Sequence, residues 1–232
     1  MVNPRVRTPS FLHTVMSLIV ALLLLPYLLV LVYAVVPPVS TVMLVSLLSG
    51  QGMARHWVPL SQVSLPMQRA VLVAEDARFC EHWGLDFEAI EKSLKTAERT
   101  GRAPKGASTI SAQVVKNLFF INGRSWVRKV LEAPLALWLD LVLPKRRVLE
   151  IYLNIAEWGK GRFGVEAAAQ AAFGKSAARL NNSEAALLAA ALPAPTKRDA
   201  ARPRPYHRGY AATIQARMHK SAGIVRCVSA VR

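Results

Sequence analysis

Apolar residues follow two patterns along this chain: one long run near the start, then the three-and-four spacing of amphipathic helices. Between Arg7 and Arg55 there is no Asp, Glu, Lys or Arg. Thr14 to Val36 comfortably supplies the about 20 apolar residues a helix needs to cross a bilayer core. Pro26 lies within it and predicts a kink rather than a break, because neighbouring groups in a membrane can re-satisfy the freed carbonyl. A cleaved signal would have an apolar region of about 7–15 residues and a small-residue cleavage site; neither fits, so the run reads as an uncleaved anchor. Pro37-Pro38 ends it. Val39 to Leu48 is apolar but too short to span, and is expected as an interfacial helix or a segment of the following domain.

Beyond the anchor the pattern predicts helices almost throughout. One covers Gln68 to Phe79. A second begins after Asp86 as N-cap and ends at Gly101. Arg102 to Lys105, between Gly101 and Gly106, reads as a mobile loop. Further helices are expected from Ser108 or Thr109 to about Phe120, from Ser125 to Leu143 with Pro134 inside, from Pro144 to about Trp158, and from Val165 to Phe173. Asn122-Gly123 reads as a turn. Asn181 and Glu184 have capping-box spacing, opening a helix that stops before Pro193, and a basic helix follows over Tyr206 to His219. Repeats are absent and strand signals few. The fold class is mainly α, with the residues after about Lys220 loose.

Charge then narrows the function. The net charge is +16, and Arg5 and Arg7 precede the apolar run while no cation follows it until Arg55. Positive flanks stay inside, so the amino terminus is expected in the cytoplasm and the domain outside. An outward-facing domain meets no nucleic acid; anionic headgroups or an anionic lipid-linked substrate are better partners. Cys80 and Cys227 could pair in an oxidising compartment, but their spacing forms no motif, and the reading is two free thiols.

Four polar clusters interrupt the apolar sequence. They are Glu75-Asp76-Ala77-Arg78-Phe79-Cys80-Glu81-His82-Trp83-Gly84, Gly106-Ala107-Ser108-Thr109-Ile110-Ser111-Ala112-Gln113-Val114-Val115-Lys116-Asn117, Arg128-Lys129-Val130-Leu131-Glu132, and Lys145-Arg146-Arg147-Val148-Leu149-Glu150-Ile151-Tyr152-Leu153-Asn154. Glu75 and Asp76 would point about 100° apart on a helix, so they cannot share one proton. Arg128 with Glu132, and Gln113 with Asn117, stand at i and i+4 on single faces. Alone, each is an ordinary surface pairing, and Lys145-Arg146-Arg147 is usually a solvated helix start. His82 has no partner histidine at zinc spacing. Gly159 to Gly164 follows a helix and is no dinucleotide fingerprint. A Gly-x-Ser-x-Gly elbow and a Walker loop are both missing.

In this order, with Gly164-Val165-Glu166-Ala167-Ala168-Ala169 and Phe173-Gly174-Lys175 as a fifth block, the clusters resemble the monofunctional peptidoglycan glycosyltransferases. These are the biosynthetic peptidoglycan transglycosylases of glycosyltransferase family 51. The resemblance runs from about Trp57 to Met218, with one departure: Ala112-Gln113 stands where the family usually has two glutamines. It implies a lysozyme-like helical domain behind a single transmembrane helix. The expected division is residues 1–13 cytoplasmic, 14–36 transmembrane, 37–54 membrane-proximal, 55–220 glycosyltransferase domain and 221–232 basic tail, in a bacterial inner membrane with the domain periplasmic.

The implied reaction polymerises lipid II into β-1,4-linked glycan strands, with inversion and loss of polyprenyl diphosphate. By resemblance Glu75 is the general base and Glu132 the second essential carboxylate. Lys116 and Arg128 match positions that contact the diphosphate, and Asp76, His82, Thr109, Gln113 and Asn117 match cleft positions, as does Phe79, which could equally be core. Mg2+ or Mn2+ assists many members. The implied partners are lipid II, the growing lipid-linked strand, the membrane, and other cell-wall synthesis or division proteins. Too few residues follow Met218 for a transpeptidase domain. Three rivals stand beside this reading: a lytic hydrolase, a non-catalytic scaffold, and a basic nucleic-acid binder.

Overall fold

In the computed structural model, residues 11–104, 106–121, 123 and 126–229 are described. Helix α1 (Phe11–Tyr33) runs unbroken through Pro26 and is long and apolar enough to cross a membrane. Helix α2 (Thr41–Leu48) follows, capped by Ser40. It docks on the domain: Met43 is fully buried, and the Thr41 hydroxyl lies 3.0 Å from the Asn117 carbonyl and 2.9 Å from that of Phe120. Its other face keeps Leu44, Leu47 and Leu48 exposed. The segment Val39 to Leu48 is thus joined to the domain while leaving an apolar outer surface.

Helix α3 (Leu65–Glu75) is the central element, packed against α9 (Asn182–Ala191) and α10 (Pro205–Lys220). Its Met67, Ala70, Val71 and Leu72 have no exposure, each removing apolar surface from water at about 25 cal/mol per Å2. Helix α5 (Ile110–Phe119) packs on α6 (Trp126–Val142) and α7 (Lys145–Ile155). Helices α4 (Phe87–Thr100) and α8 (Val165–Phe173) complete the set. Asp86 caps α4 and Gly101 ends it in the left-handed region; Asn181 and Glu184 form the reciprocal capping box of α9. Asn122, of the expected Asn122-Gly123 turn, and Lys105, of the expected 102–105 loop, lie outside the described residues.

The expectation of helix through to Trp158 is corrected. Helix α7 ends at Ile155, and strand β2 (Glu157–Gly159) pairs antiparallel with β3 (Arg162–Phe163), which pairs parallel with β1 (Ala54–Arg55). These strands are too short to show periodicity. A Cβ on Gly161, at φ +66°, would sit 2.3 Å from the Gln51 carbonyl oxygen, so the strands close only over a bare backbone. Helix α7 holds the same region with polar side chains: Asn154 accepts from Val58 N and donates to its carbonyl, both at 2.9 Å, and Glu150 accepts from Leu60 N.

The cysteine reading is corrected too. Cys80 and Cys227 form a disulfide that closes a separation of 147 residues. Residues 221–229 are not loose: a short 3-10 turn (Ala222–Val225) packs on α3, and Val225 and Val228 are buried.

Candidate active site

Glu75 is the last residue of α3. Its carboxylate accepts from the Gln113 side-chain amide at 3.0 Å, bringing α3 and α5 together. Burial pushes its pKa up. The Gln113 hydrogen bond, Lys116 and Arg198 oppose that, and the net direction is upward. The Tyr152 hydroxyl lies 3.4 Å from the other end of the same amide; burial and the charges of Glu75 and Asp76 hold this phenol protonated well beyond its ordinary range. Glu75 is therefore a poorly hydrated carboxylate with an oriented partner and cations at a distance. Such a group is suited to accept a proton near neutral pH.

Helix α3 stops at Glu75 rather than running to Phe79 as expected, and Asp76, with its backbone already out of the helix at φ −160° and ψ 78°, finds different partners. Buried at the end of α3, it accepts from His82 Nε2 at 3.0 Å and from Ile110 N at 2.9 Å. The second bond satisfies a free amide at the start of α5, where the helix dipole also favours a negative charge. Thr109 caps the same helix end, and its hydroxyl donates to the Gly84 carbonyl at 2.5 Å. Asp76, His82 and Thr109 are thus buried together around the segment 76–84. Phe79 lies fully in the core, with Lys145 Nζ 4.4 Å from its ring centroid.

A second knot, centred on Asp140, escaped sequence reasoning. Its buried carboxylate accepts from Ser111 Oγ at 2.9 Å, from Lys145 Nζ at 2.6 Å, and from Gly84 N. Gly84, at φ +68°, lies so near α6 that a Cβ would meet the Ala136 carbonyl oxygen at 2.4 Å. Asp140 thereby ties the segment after Glu75 to α5, α6 and α7. Only its place in an amphipathic helix, at a position expected to be buried, could have signalled this. Lys145 belongs to this knot rather than to a solvated helix start.

The cationic cluster lies across α5 and α6. Arg128 Nε stands 2.8 Å from Glu132 Oε1, and Lys129 Nζ 3.6 Å from Oε2. The Arg128 contact is an ion pair whose N–H is not aligned as a hydrogen bond, so both buried atoms keep unused bonding capacity. Lys116, one helical turn from Gln113, is half-buried and has its pKa lowered by desolvation. Glu132 and Glu75 act on it from one sign, Arg128 and Lys129 from the other. Asn117 lies beside it on α5, and its backbone carbonyl takes the Thr41 bond. Glu75, Gln113 and Lys116 are therefore brought into one electrostatic neighbourhood with Arg128 and Glu132.

Ala112 and Glu132 line a cavity of about 430 Å3 that also reaches Pro104 and Gly106, which sets those two residues beside Glu132. Among the described residues no three His, Cys, Asp or Glu side chains gather as a metal cage. Glu132 offers one free oxygen, but Arg128 and Lys129 face it. These residues do not fit an ion held by protein groups.

A family model described as transglycosylase matches residues 42–219. Three similar proteins carry the name biosynthetic peptidoglycan transglycosylase. That of Nitrobacter hamburgensis is 52% identical over 200 residues, covering 86% of this chain and 88% of its own. That of Rhodopseudomonas palustris strain TIE-1 is 49% identical over 222 residues, covering 95% and 93%. The Agrobacterium fabrum protein is 47% identical over 212 residues, covering 90% and 93%.

Proposed function

The chain belongs to the biosynthetic peptidoglycan transglycosylases, and from that premise we propose that it polymerises lipid II into β-1,4-linked glycan strands at a membrane surface. The observation that carries the reading is the half-buried Glu75 carboxylate, held by Gln113 and standing beside the Lys116–Arg128–Glu132 cluster.

In this reading Glu75 takes the proton of the acceptor 4-hydroxyl as that oxygen attacks the anomeric carbon of the donor. Attack comes from the face opposite the diphosphate and inverts the centre. Diphosphate departs as an anion, so it needs charge stabilisation rather than an acid to protonate it, unlike the leaving group of a glycosidase. Lys116 and Arg128 supply that charge. Glu132 orients Arg128 and keeps the cluster from repelling itself. Gln113 and Asn117 face the substrate, whereas Asp76, His82 and Thr109, buried among one another, position the segment that follows Glu75. A divalent ion carried in by the diphosphate is compatible with this scheme but contributes no step to it.

The anchor supports the same reading. Helix α1 can span a bilayer, which suits a bacterial inner membrane, with the amino terminus cytoplasmic and the domain periplasmic by the placement of Arg5 and Arg7. Confinement to a surface shortens the search for two lipid-tailed substrates.

The test is polymerisation of labelled lipid II in detergent by the purified protein beside Glu75→Gln. Strands from the wild type and none from the variant support both the reaction and its base. A folded wild type that yields no strands, with Mg2+ supplied, would refute the reading and favour an anchored scaffold. Soluble fragments released from sacculi would instead point to a lytic enzyme.

A further inference from the structure

The segment between α9 and α10 lines two adjoining cavities, of about 200 and 480 Å3, that share Lys197, Arg198 and Asp199. Lys160 and Arg162, from the β2–β3 turn, complete the charged wall of the first. Arg202 and Arg204 complete that of the second. Six cations thus face one groove with a single acid, and Asp199 already accepts from Ala201 N at 2.9 Å. Among the described residues none of the six lies within ion-pairing distance of a carboxylate; the pairs that do form involve other cations. Unneutralised charge gathered in a concave site focuses potential toward an anionic ligand.

Trp158 adds a second, independent sign. It lines the first cavity, is 3% exposed, and its indole N–H has no acceptor. A buried donor without a partner carries a desolvation penalty that an arriving oxygen would relieve.

The groove is connected to the proposed catalytic carboxylate. Arg198 donates to the Ala190 carbonyl at 2.6 Å and stands over the rings of Tyr206 and Tyr210 at 5.2 and 5.6 Å. From there its charge acts on Glu75. Lys116 acts on Glu75 from the α5–α6 cluster, so cations of two separate regions act on the one carboxylate. The surroundings also argue against insertion into lipid. Beyond Leu141, Tyr206 is the sole strongly exposed large hydrophobic among the described residues, whereas α1, α2 and α6 carry many.

We propose that this groove is a subsite for the carboxylates of the peptides attached to the glycan strand. The inference rests on the peptidoglycan reading above. A peptide ends in an α-carboxyl group ionised at neutral pH, and such groups recur along a peptide-bearing strand. Contacts to several of them at once would hold the strand beside Glu75 between successive additions without gripping the sugars that must advance.

Full-length protein in detergent is titrated with labelled glycan strands released from sacculi, either peptide-bearing or stripped of peptide by an amidase with the strand carboxylates so released capped as neutral amides. The comparison is between wild type and Lys160→Gln/Lys197→Gln/Arg202→Gln. Wild type is expected to bind peptide-bearing strands roughly tenfold more tightly, as three or more screened charge contacts would give, and to lose that preference as salt is raised. The triple variant loses the preference. Should the triple variant fail to fold, Lys160→Gln alone and the wild-type salt titration carry the same expectation. Equal binding of both strand types by wild type overturns the proposal, as does a preference that survives the substitutions. Strand preference intact but binding to anionic phospholipid vesicles lost in the variant overturns it in favour of a lipid headgroup site. Strand binding is read without turnover, so failure of the wild type to polymerise lipid II refutes the proposed reaction and is distinguishable from loss of peptide preference.

Discussion

Gln113 donates its side-chain amide to Glu75 at 3.0 Å, linking the first turns of α5 to the last residue of α3. The bond favours the ionised carboxylate and partly offsets the effect of burial. Gln113→Ala is therefore expected to raise the Glu75 pKa further and to move the acid limb of the pH–rate profile to higher pH. With orientation lost as well, kcat should fall by about tenfold or more. An unchanged acid limb in initial-rate measurements across pH would refute the coupling.

Burial raises the Glu75 pKa, so the native state prefers this group protonated. The sign follows from linkage. Its stabilising contribution is fully present below the unfolded pKa and is lost as pH rises through the higher folded value. At neutral pH the ionised side chain therefore opposes folding. Glu75→Gln should abolish turnover yet raise Tm by about 1–3 °C, with the gain shrinking toward acid pH. Thermal scans at pH 4 and pH 7.5 measure it, and a lower Tm in the variant would contradict the argument. At the alkaline end, desolvated Lys116 should lose its proton below the ordinary lysine range, and activity should decline with it.

Asp140 is buried with Lys145, Ser111 and Gly84 as partners. Removing one partner of a buried ion pair leaves the other uncompensated, at about 3–5 kcal/mol. Asp140→Ala should lower Tm by about 10 °C or more; Asp140→Asn, which keeps the shape and some hydrogen bonding, should lower it less. A fall of only a degree or two for the alanine variant in scanning calorimetry would show that the knot is not a stability element.

The Cys80–Cys227 bond fastens the final turn to the segment that follows Glu75. Disulfides closing long loops stabilise by about 2–4 kcal/mol. Reduction, or Cys80→Ser/Cys227→Ser, should lower Tm by about 5–15 °C. Activity near 20 °C should fall less than stability, since the bond touches no proposed substrate contact. Identical melting curves with and without reductant would refute this expectation.

Local signals proved sufficient for most helix boundaries. Asp86, Thr109 and Asn181 cap helices where their side chains meet the next free amides, an interaction spanning only three residues. One face was also legible: Arg128 with Glu132 follows from helix periodicity. Strands of two or three residues were not, since β1 and β3 define each other across more than a hundred positions. The disulfide was hidden for the same reason. Within the site, the separate partners of Glu75 and Asp76 follow from the chain leaving the helix at Asp76, where the periodicity predicts helix as far as Phe79. That Asp76, His82 and Thr109 would be buried together depends on a loop folding back on the start of α5, which no local pattern encodes.

Helix α1 is held to the domain at its carboxyl-terminal half. Trp138 Nε1 donates to the Tyr27 carbonyl at 3.0 Å, and Arg147 donates to those of Tyr33 and Val36 at 2.9 and 3.0 Å. Tyr33 also stacks on Phe119 of α5. A span secured in this way acts as a rudder rather than a leash. On the proposed reading, with the helix upright in a bilayer, the Glu75–Lys116 region keeps one bearing and one altitude, and lipid-borne substrates approach it from a single compass sector. A foreign span joined through a flexible linker would preserve attachment and surrender that bearing.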